Sequence, residues 1–404
     1  MRARFMITVS ALALVATPAS AGIRHPSVVS PDPVNHTPHV LDGIVNALAL
    51  VGNTVVVGGE FSSVKSGTST FRRANLFAFD LTTGRVTPFA PFLDGPVNAL
   101  AAGANGTVYA GGSFSRGLAA FSVPSGAPIP SFGATAYGGE ITSLVRRDAH
   151  LYVGGDFSHI SRVQRTALAR LDASTGAVDP AFAVAVGGGR SESDPKVHAM
   201  AATKDRLILD GSFTTLGGQP RDQLGQIDLK TGRVARWRTN AYAPHCRDGF
   251  PSYVRGLDVS PDGSYFVVVT TGGAAPKTGK LCDTAARFET YAKGVNVKPT
   301  WVNHTGGDSL YSVAVTGAAV YVGGHQRWMD NPLGKDSAGP GAVPREGIAA
   351  LHPRTGKALG FNPGRERGIG VKAFLAVKKG LLVGSDTTKL GHEYHARVGM
   401  FPMP

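Results

Sequence analysis

Three stretches of this chain gather side chains able to bind or react. GHEYHARV, from Gly391 to Val398, places His392, Glu393 and His395 within four residues. Two imidazoles and a carboxylate can hold a metal, yet the spacing matches no established zinc pattern, and surface turn residues are the other reading. GGHQRWMDNPLG, from Gly323 to Gly334, carries His325, Gln326, Arg327, Trp328, Asp330 and Asn331. An aromatic platform among such groups suits sugar stacking or a protein partner, and equally an aromatic plug over a sheet edge. NAYAPHCRDGFPSYVR, from Asn240 to Arg255, brings His245, Arg247, Asp248 and Tyr253 beside Cys246. Long loops of compact domains are often binding loops, and the plainer reading is a stapled loop without a ligand.

Acid–base chemistry would draw on His304, Asp308, His325, Asp330 and Asp386, since carboxylates and imidazoles work in pairs when their surroundings separate their pKa values. Glycoside cleavage needs two carboxylates at a set separation, which a sequence does not display. The chain holds no GxSxG elbow, HExxH, Walker loop or EF-hand run. SPDGSYF, from Ser260 to Phe266, is a turn and only a faint likeness of a calcium or sialidase box.

The elements that must position these groups repeat. TVVVGGEFS, TVYAGGSFS, LYVGGDFS, LILDGSFT, VVVTTGG, VYVGGHQ and LLVGSD end β-prone runs at intervals of roughly 43 to 62 residues, a period of propeller-like arrays. Each unit holds four short runs of Val, Leu, Phe and Tyr between Gly, Asn, Asp and Pro, the pattern of a four-stranded meander. One unit cannot bury both faces of its sheet, so units must stack. The glycine pairs predict a bulge or tight turn with φ above zero, and the Phe that often follows predicts packing between units. Trp237 and Trp301 fall where Phe89, Phe132, Phe182 and Phe361 fall in their units, whereas Trp328 shows no counterpart. The last unit, ending in Arg397 to Phe401, is one strand short. HTPHVLDG, from His36 to Gly43, echoes TPFAPFLDG, from Thr87 to Gly95, and is expected to supply it, removing open sheet edges.

On VGGEF (Val57 to Phe61), VGGDF (Val153 to Phe157) and LFAFDLTTG (Leu76 to Gly84), the chain resembles secreted bacterial β-propellers of delta-60-type repeats, and more loosely kelch propellers. The resemblance spans about residues 36–404 and also takes in Val302 to Pro332. It implies a fold and a location and carries no activity. The expectation is an all-β, seven-bladed β-propeller of four-stranded antiparallel blades, with the N-terminal strand closing the last blade.

Residues 1–21 read as a secretory signal: Arg2 and Arg4, an apolar stretch from Phe5 to Ala16, and Ala19, Ser20, Ala21 before the cut. No second apolar run approaches the length of a membrane span. Residues 22–35, with Pro26, Pro31 and Pro33, read as a flexible leader, and 36–404 as one propeller domain. Removal of the signal lowers the formal charge from +13 to +11, because Arg2 and Arg4 leave. Such a surplus favours anionic partners, or serves only solubility. Dense basic blocks and a recognition helix are absent, so no specific nucleic acid is expected. Cys246 and Cys282, in an exported chain, read as one disulfide; the adjacent cysteines of quinone-dependent dehydrogenase propellers are lacking.

The function expected is a secreted, monomeric, non-catalytic recognition propeller that binds an anionic glycan, a cell-wall polymer or an exported protein, with no cofactor. The competing class is a glycan-active hydrolase or lyase, with a copper or quinone oxidoreductase behind it.

Overall fold

The computed structural model describes residues 22–123, 125–190, 194–246, 253–272 and 280–404, and no helix occurs among them. The proposed signal, Arg247 and Asp248 lie outside the described residues. Valine- and leucine-rich runs form seven main antiparallel sheets among the described residues. Their innermost strands are Ile44–Val51, Val97–Ala102, Ile141–Arg147, Lys196–Ala202, Val254–Val259, Leu310–Val315 and Ala373–Val377. Each packs against the inner strand of the next sheet, and Ala373–Val377 meets Ile44–Val51, so the sheets close into a ring. Apolar faces are buried between neighbours: Val56, Leu76 and Phe89 pack with Val97 and Val108 of the following sheet. This arrangement is a β-propeller.

The glycine pairs serve a different need from the one expected. Gly58, Gly59, Gly111, Gly112, Gly154 and Gly155 are absent from the residues with positive φ, so left-handed geometry is not their reason, while Gly272 of the fifth unit does have positive φ, at 133°. A Cβ on Gly58 would lie 2.5 Å from Val97 Cγ1 of the next sheet, and one on Gly154 2.7 Å from Val197 Cγ1. The second glycine of each pair faces the backbone of its own inner strand, where a Cβ would collide with the carbonyl of Ile44, Pro96 or Glu140. Opposite the pairs the inner strand bulges, between Val45 and Ala47 in the first sheet. The bulge was foreseen; its place on the partner strand was not. Phe61, Phe114, Phe157 and Phe213 are buried as expected.

Fourth strands are fewer than the repeat implied. Only the sheets containing Arg233–Val234 and Trp301–His304 have four strands among the described residues. In four of the other five a single bridge remains, such as Phe79 with Val86 or Leu171 with Val178. One further rung forms, from Thr87 N to Ala78 O and from Asp179 N to Arg170 O. Pro88 and Pro180 come next and have no N–H to extend the ladder.

Closure also differs in register. His39–Val40 pairs with Ser63–Ser66 rather than with the last strand. The terminal strand Val398–Pro402 is joined farther upstream, by Ser30 N to Pro402 O at 2.8 Å and Val34 N to Met400 O at 2.9 Å. The stretch expected as a flexible leader is therefore packed against the ring. Val29 is 3% exposed, and its N–H donates to the Tyr321 hydroxyl.

Five units add a feature the sequence did not announce, a small hairpin between their second and third strands. Ser63–Ser66 with Ser69–Arg72, His159–Ile160 with Val163–Gln164, Thr215–Leu216 with Gln219–Pro220, Trp328–Met329 with Val343–Pro344, and Lys389–Leu390 with Glu393–Tyr394 are these pairs. One apolar side chain of each is buried: Val64, Ile160, Leu216, Met329 and Leu390. Two-residue ladders are too short to leave a period in the sequence.

Candidate functional site

The hairpin register gives Trp328 the counterpart that sequence comparison did not find. It occupies the place of Ser63, His159, Thr215 and Lys389, beside the buried apolar position. Because neighbours on a strand point to opposite faces, Trp328 stands on the outward face while Met329 fills the core. The match is hidden in sequence because the sixth hairpin connects Met329 to Val343 through a long segment, where the first needs only Gly67 and Thr68.

Asp308 fixes this hairpin. In the first two units a carboxylate, Asp42 or Asp94, accepts from the N–H and hydroxyl of Ser62 or Ser115 as the chain enters this segment. In the sixth unit the serine place is taken by Arg327, and Asp308 Oδ2 accepts its N–H at 3.0 Å and its Nε at 2.9 Å. Arg327 Nη2 reaches Oδ1 at 3.0 Å, and Arg367 Nη2 reaches the same oxygen at 2.8 Å. The guanidinium of Arg327 then lies over the Trp328 ring, 4.3 Å from its centroid. Two-point pairing plus stacking orients the aromatic platform at little entropic cost.

His325 takes the place of Asp156 in the third unit. Its Nε2 accepts the Ser309 N–H at 3.1 Å, as Asp156 Oδ1 accepts that of Glu140. The proton therefore sits on Nδ1, which donates to Ile369 O at 3.2 Å. Burial pushes its pKa down, so the neutral ring is favoured. The ring meets Tyr311 edge-on at 5.7 Å, which leads inward to the axis.

At the axis the bulged residues of the inner strands are Asn46, Asn98, Thr142, His198, Arg255 and Tyr311, with Lys372 in the matching place before Ala373. On one side they are satisfied by one another: Asn46 Nδ2 donates to Asn98 Oδ1, Asn98 donates to Glu140, and Glu140 pairs with Lys196 at 2.7 Å. The other side is cationic. Lys372 Nζ stands 4.0 Å from the Tyr311 ring centroid, and neither Lys372 nor Arg255 forms a salt bridge among the described residues. Burial pushes both below their ordinary values, and Arg255 repels Lys372 further. His198 is driven down to about 3 by burial, Arg255 and Lys196.

The fourth unit departs from the glycine pair with Asp210, which no sequence argument had singled out, although aspartate before Gly211 in LILDGSFT was the visible signal. Asp210 is fully buried; Oδ1 accepts from Ala199 N at 3.0 Å and Oδ2 has no hydrogen-bond partner among the described residues. Burial pushes it up to about 8, against the opposing pull of Ala199 N–H and Arg255.

The remaining sequence candidates separate. Asp330 and Asp386 are committed to structure: Asp330 accepts from Asn303 and Ala358, and Asp386 from Arg365, Ile369 and Gly370. Asn331 is buried and ties Thr305, Ser337 and Gly339 together, while Gln326 fills the core place of Phe61. His304 is half-buried and pushed down by burial. Cys246 and Cys282 form a disulfide with Cα atoms 5.8 Å apart, as expected. Beside it, His245 is exposed and Tyr253 is 1% exposed, with its hydroxyl 2.7 and 2.6 Å from the Tyr242 and Pro244 carbonyls. Tyr253 is thus a packing residue rather than a ligand contact. His392 and Glu393 belong to the last hairpin, whose turn residues Gly391 and His392 both have positive φ. His395 is 3% exposed and lies 3.4 Å from Glu393, and the described residues contain no group of three metal-type ligands.

A family model described as "Domain of unknown function (DUF5122) beta-propeller" matches residues 148–182. That span carries LYVGGDFS and the turn at Asp172, one repeat of the ring. No curated protein matches the chain. Among solved structures, the computationally designed Ika8 protein superposes with a TM-score of 0.50 at 13% identity, covering 93% of this chain and 100% of that one. The WD40 β-propeller domain of Doa1 gives 0.49 at 11% identity, covering 92% and 95%. The ring of sheets and the matched repeat agree on one conclusion, that this chain is a β-propeller.

Proposed function

We propose that the protein is an exported recognition propeller of seven blades, built from delta-60-type repeats, which binds an anionic glycan or cell-wall polymer on one ring face. The observation that carries the reading is the convergence of Arg255 and Lys372 at the axis without a salt-bridge partner among the described residues. Two half-desolvated cations side by side repel each other, and an anionic group between them relieves that repulsion. Trp328, held by Arg327 and Asp308, supplies a rigid platform on the same path of contacts. The Cys246–Cys282 disulfide and the signal-like N-terminus support export. An exported protein with an acidic surface is the other partner this face suits.

Cosedimentation with purified anionic envelope polymers at low and moderate salt tests the reading. Salt-sensitive pelleting is expected, and protein remaining in the supernatant with every polymer would refute it.

A further inference from the structure

A second basic surface lies away from the axis. A groove of about 980 Å³ runs between the outer part of the fourth sheet and the turn that follows Thr284–Glu289 in the fifth. Its lining includes Arg221, Arg236, Arg238 and Lys293 and contains no aspartate or glutamate. Arg236, Arg238 and Lys293 form no ion pair among the described residues. Arg221 is buried, donates to the Pro220 and Ala235 carbonyls, and is pushed down by burial and by Arg238. Among the described residues no carboxylate pairs with these four cations, whereas Arg206, also in the lining, is paired with Asp205 and Asp228.

Local backbone explains the arrangement. Trp237 turns inward, packing edge-on against Phe266 and Phe288, with its Nε1 donating to Glu289 O at 3.1 Å. Arg236 and Arg238 flank it in the chain, and both line the groove. Across it, Tyr291 is 49% exposed, and its hydroxyl donates to Asp205 at 2.6 Å, which fixes the ring.

We infer that this groove binds an acidic polysaccharide, with carboxylate or sulfate groups on the guanidinium and ammonium groups and one sugar ring against Tyr291. Guanidinium groups bind such anions through paired N–H donors. The volume matches the upper end of ligand sites, about 300–1,000 Å³, and extends over several sugar rings. Single-stranded nucleic acid is the less suited occupant, because it needs successive exposed aromatic platforms and the lining offers Tyr291 alone.

The test is calorimetric titration of mature protein with oligogalacturonate, a heparin fragment and oligothymidylate. The variant is Arg236→Ser/Arg238→Ser/Lys293→Ser; the charge-matched control is Arg85→Ser/Arg354→Ser/Lys378→Ser, all exposed elsewhere. The groove variant should weaken one or both glycans by about tenfold or more while the control changes affinity about twofold or less. Binding of oligogalacturonate shows that carboxylates suffice, and binding of the heparin fragment alone shows that sulfate is required. Equal weakening in both variants overturns the site, as does tightest binding of oligothymidylate through the same three residues. Trp328→Ala run alongside separates this groove from the ring face: glycan binding lost there and kept in the groove variant also overturns the inference.

Discussion

Asp308 grips Arg327 with both carboxylate oxygens while itself 1% exposed, and so anchors the one hairpin that displays a tryptophan. The pair is a modified repeat element. Where the first two units use a serine on a turn-capping carboxylate, the sixth puts an arginine on it and gains a stacking partner for Trp328. Asp308→Ala should destabilise the protein by about 2 kcal/mol, below the cost of breaking a fully buried pair because both arginines can turn to water. Urea unfolding of the variant checks the value, and an unchanged midpoint would remove Asp308 from this role.

The glycine pairs of the first three units are spacing devices, so their substitution should be costly even though none has positive φ. Gly154→Ala drives a Cβ to 2.7 Å from Val197 Cγ1 and 3.0 Å from Met200 Cε, and should cost about 1–3 kcal/mol. Gly133→Ala, with nothing within 4 Å, should stay within about 0.5 kcal/mol of the parent. Thermal melts of the two variants decide it, and equal losses would contradict the close-approach account.

Repeat architecture was legible because glycine pairs, apolar runs and the packing aromatics Phe89, Phe132, Phe182, Trp237, Trp301 and Phe361 recur in order, and all six are buried. Three things were not legible. The hairpins rest on two-residue ladders, which leave no period. The closing segment at Ser30 to Val34 bonds through backbone alone, which carries no side-chain signature. Of the axial cations, Arg255 sits at a bulge, where alternation slips by one residue and a sequence reading assigns the wrong face, and Lys372 lies just before its strand. Trp328 was legible as an irregularity, and its register only from the fold.

Stability should depend on pH through Asp210 and His198 with opposite signs. Asp210, pushed up to about 8, holds a proton in the folded chain that the unfolded chain releases near pH 3.9. Its contribution is full below that value and is lost as pH rises through about 8. His198, pushed down to about 3, binds fewer protons folded than unfolded, so its contribution is lost as pH falls from about 6.5 toward 3. Between about pH 6.5 and 8 only Asp210 of the two is active, with a slope near 1.4 kcal/mol per pH unit. Asp210→Asn should flatten that limb in urea titrations, and an unaltered slope would show that the carboxyl is already ionised.

The disulfide should matter in proportion to the loop it closes. Cys246 and Cys282 are 36 residues apart, for which loop-closure entropy gives about 3–4 kcal/mol. Cys246→Ser/Cys282→Ser should lower unfolding stability by that amount, read from urea midpoints beside the oxidised parent. A difference under about 1 kcal/mol would mean that Tyr253, Tyr242 and Arg190 hold the region without the bridge.

The role proposed for the ring face bearing Trp328 and Lys372 is recognition of an anionic polymer. The most direct measurement is a binding titration of mature protein with a soluble anionic wall polymer at two salt concentrations, comparing parent, Trp328→Ala and Lys372→Ser. Binding should weaken with salt and fall about tenfold in each variant, with melting temperatures unchanged. Binding untouched by both substitutions, or absent in the parent at low salt, would contradict it.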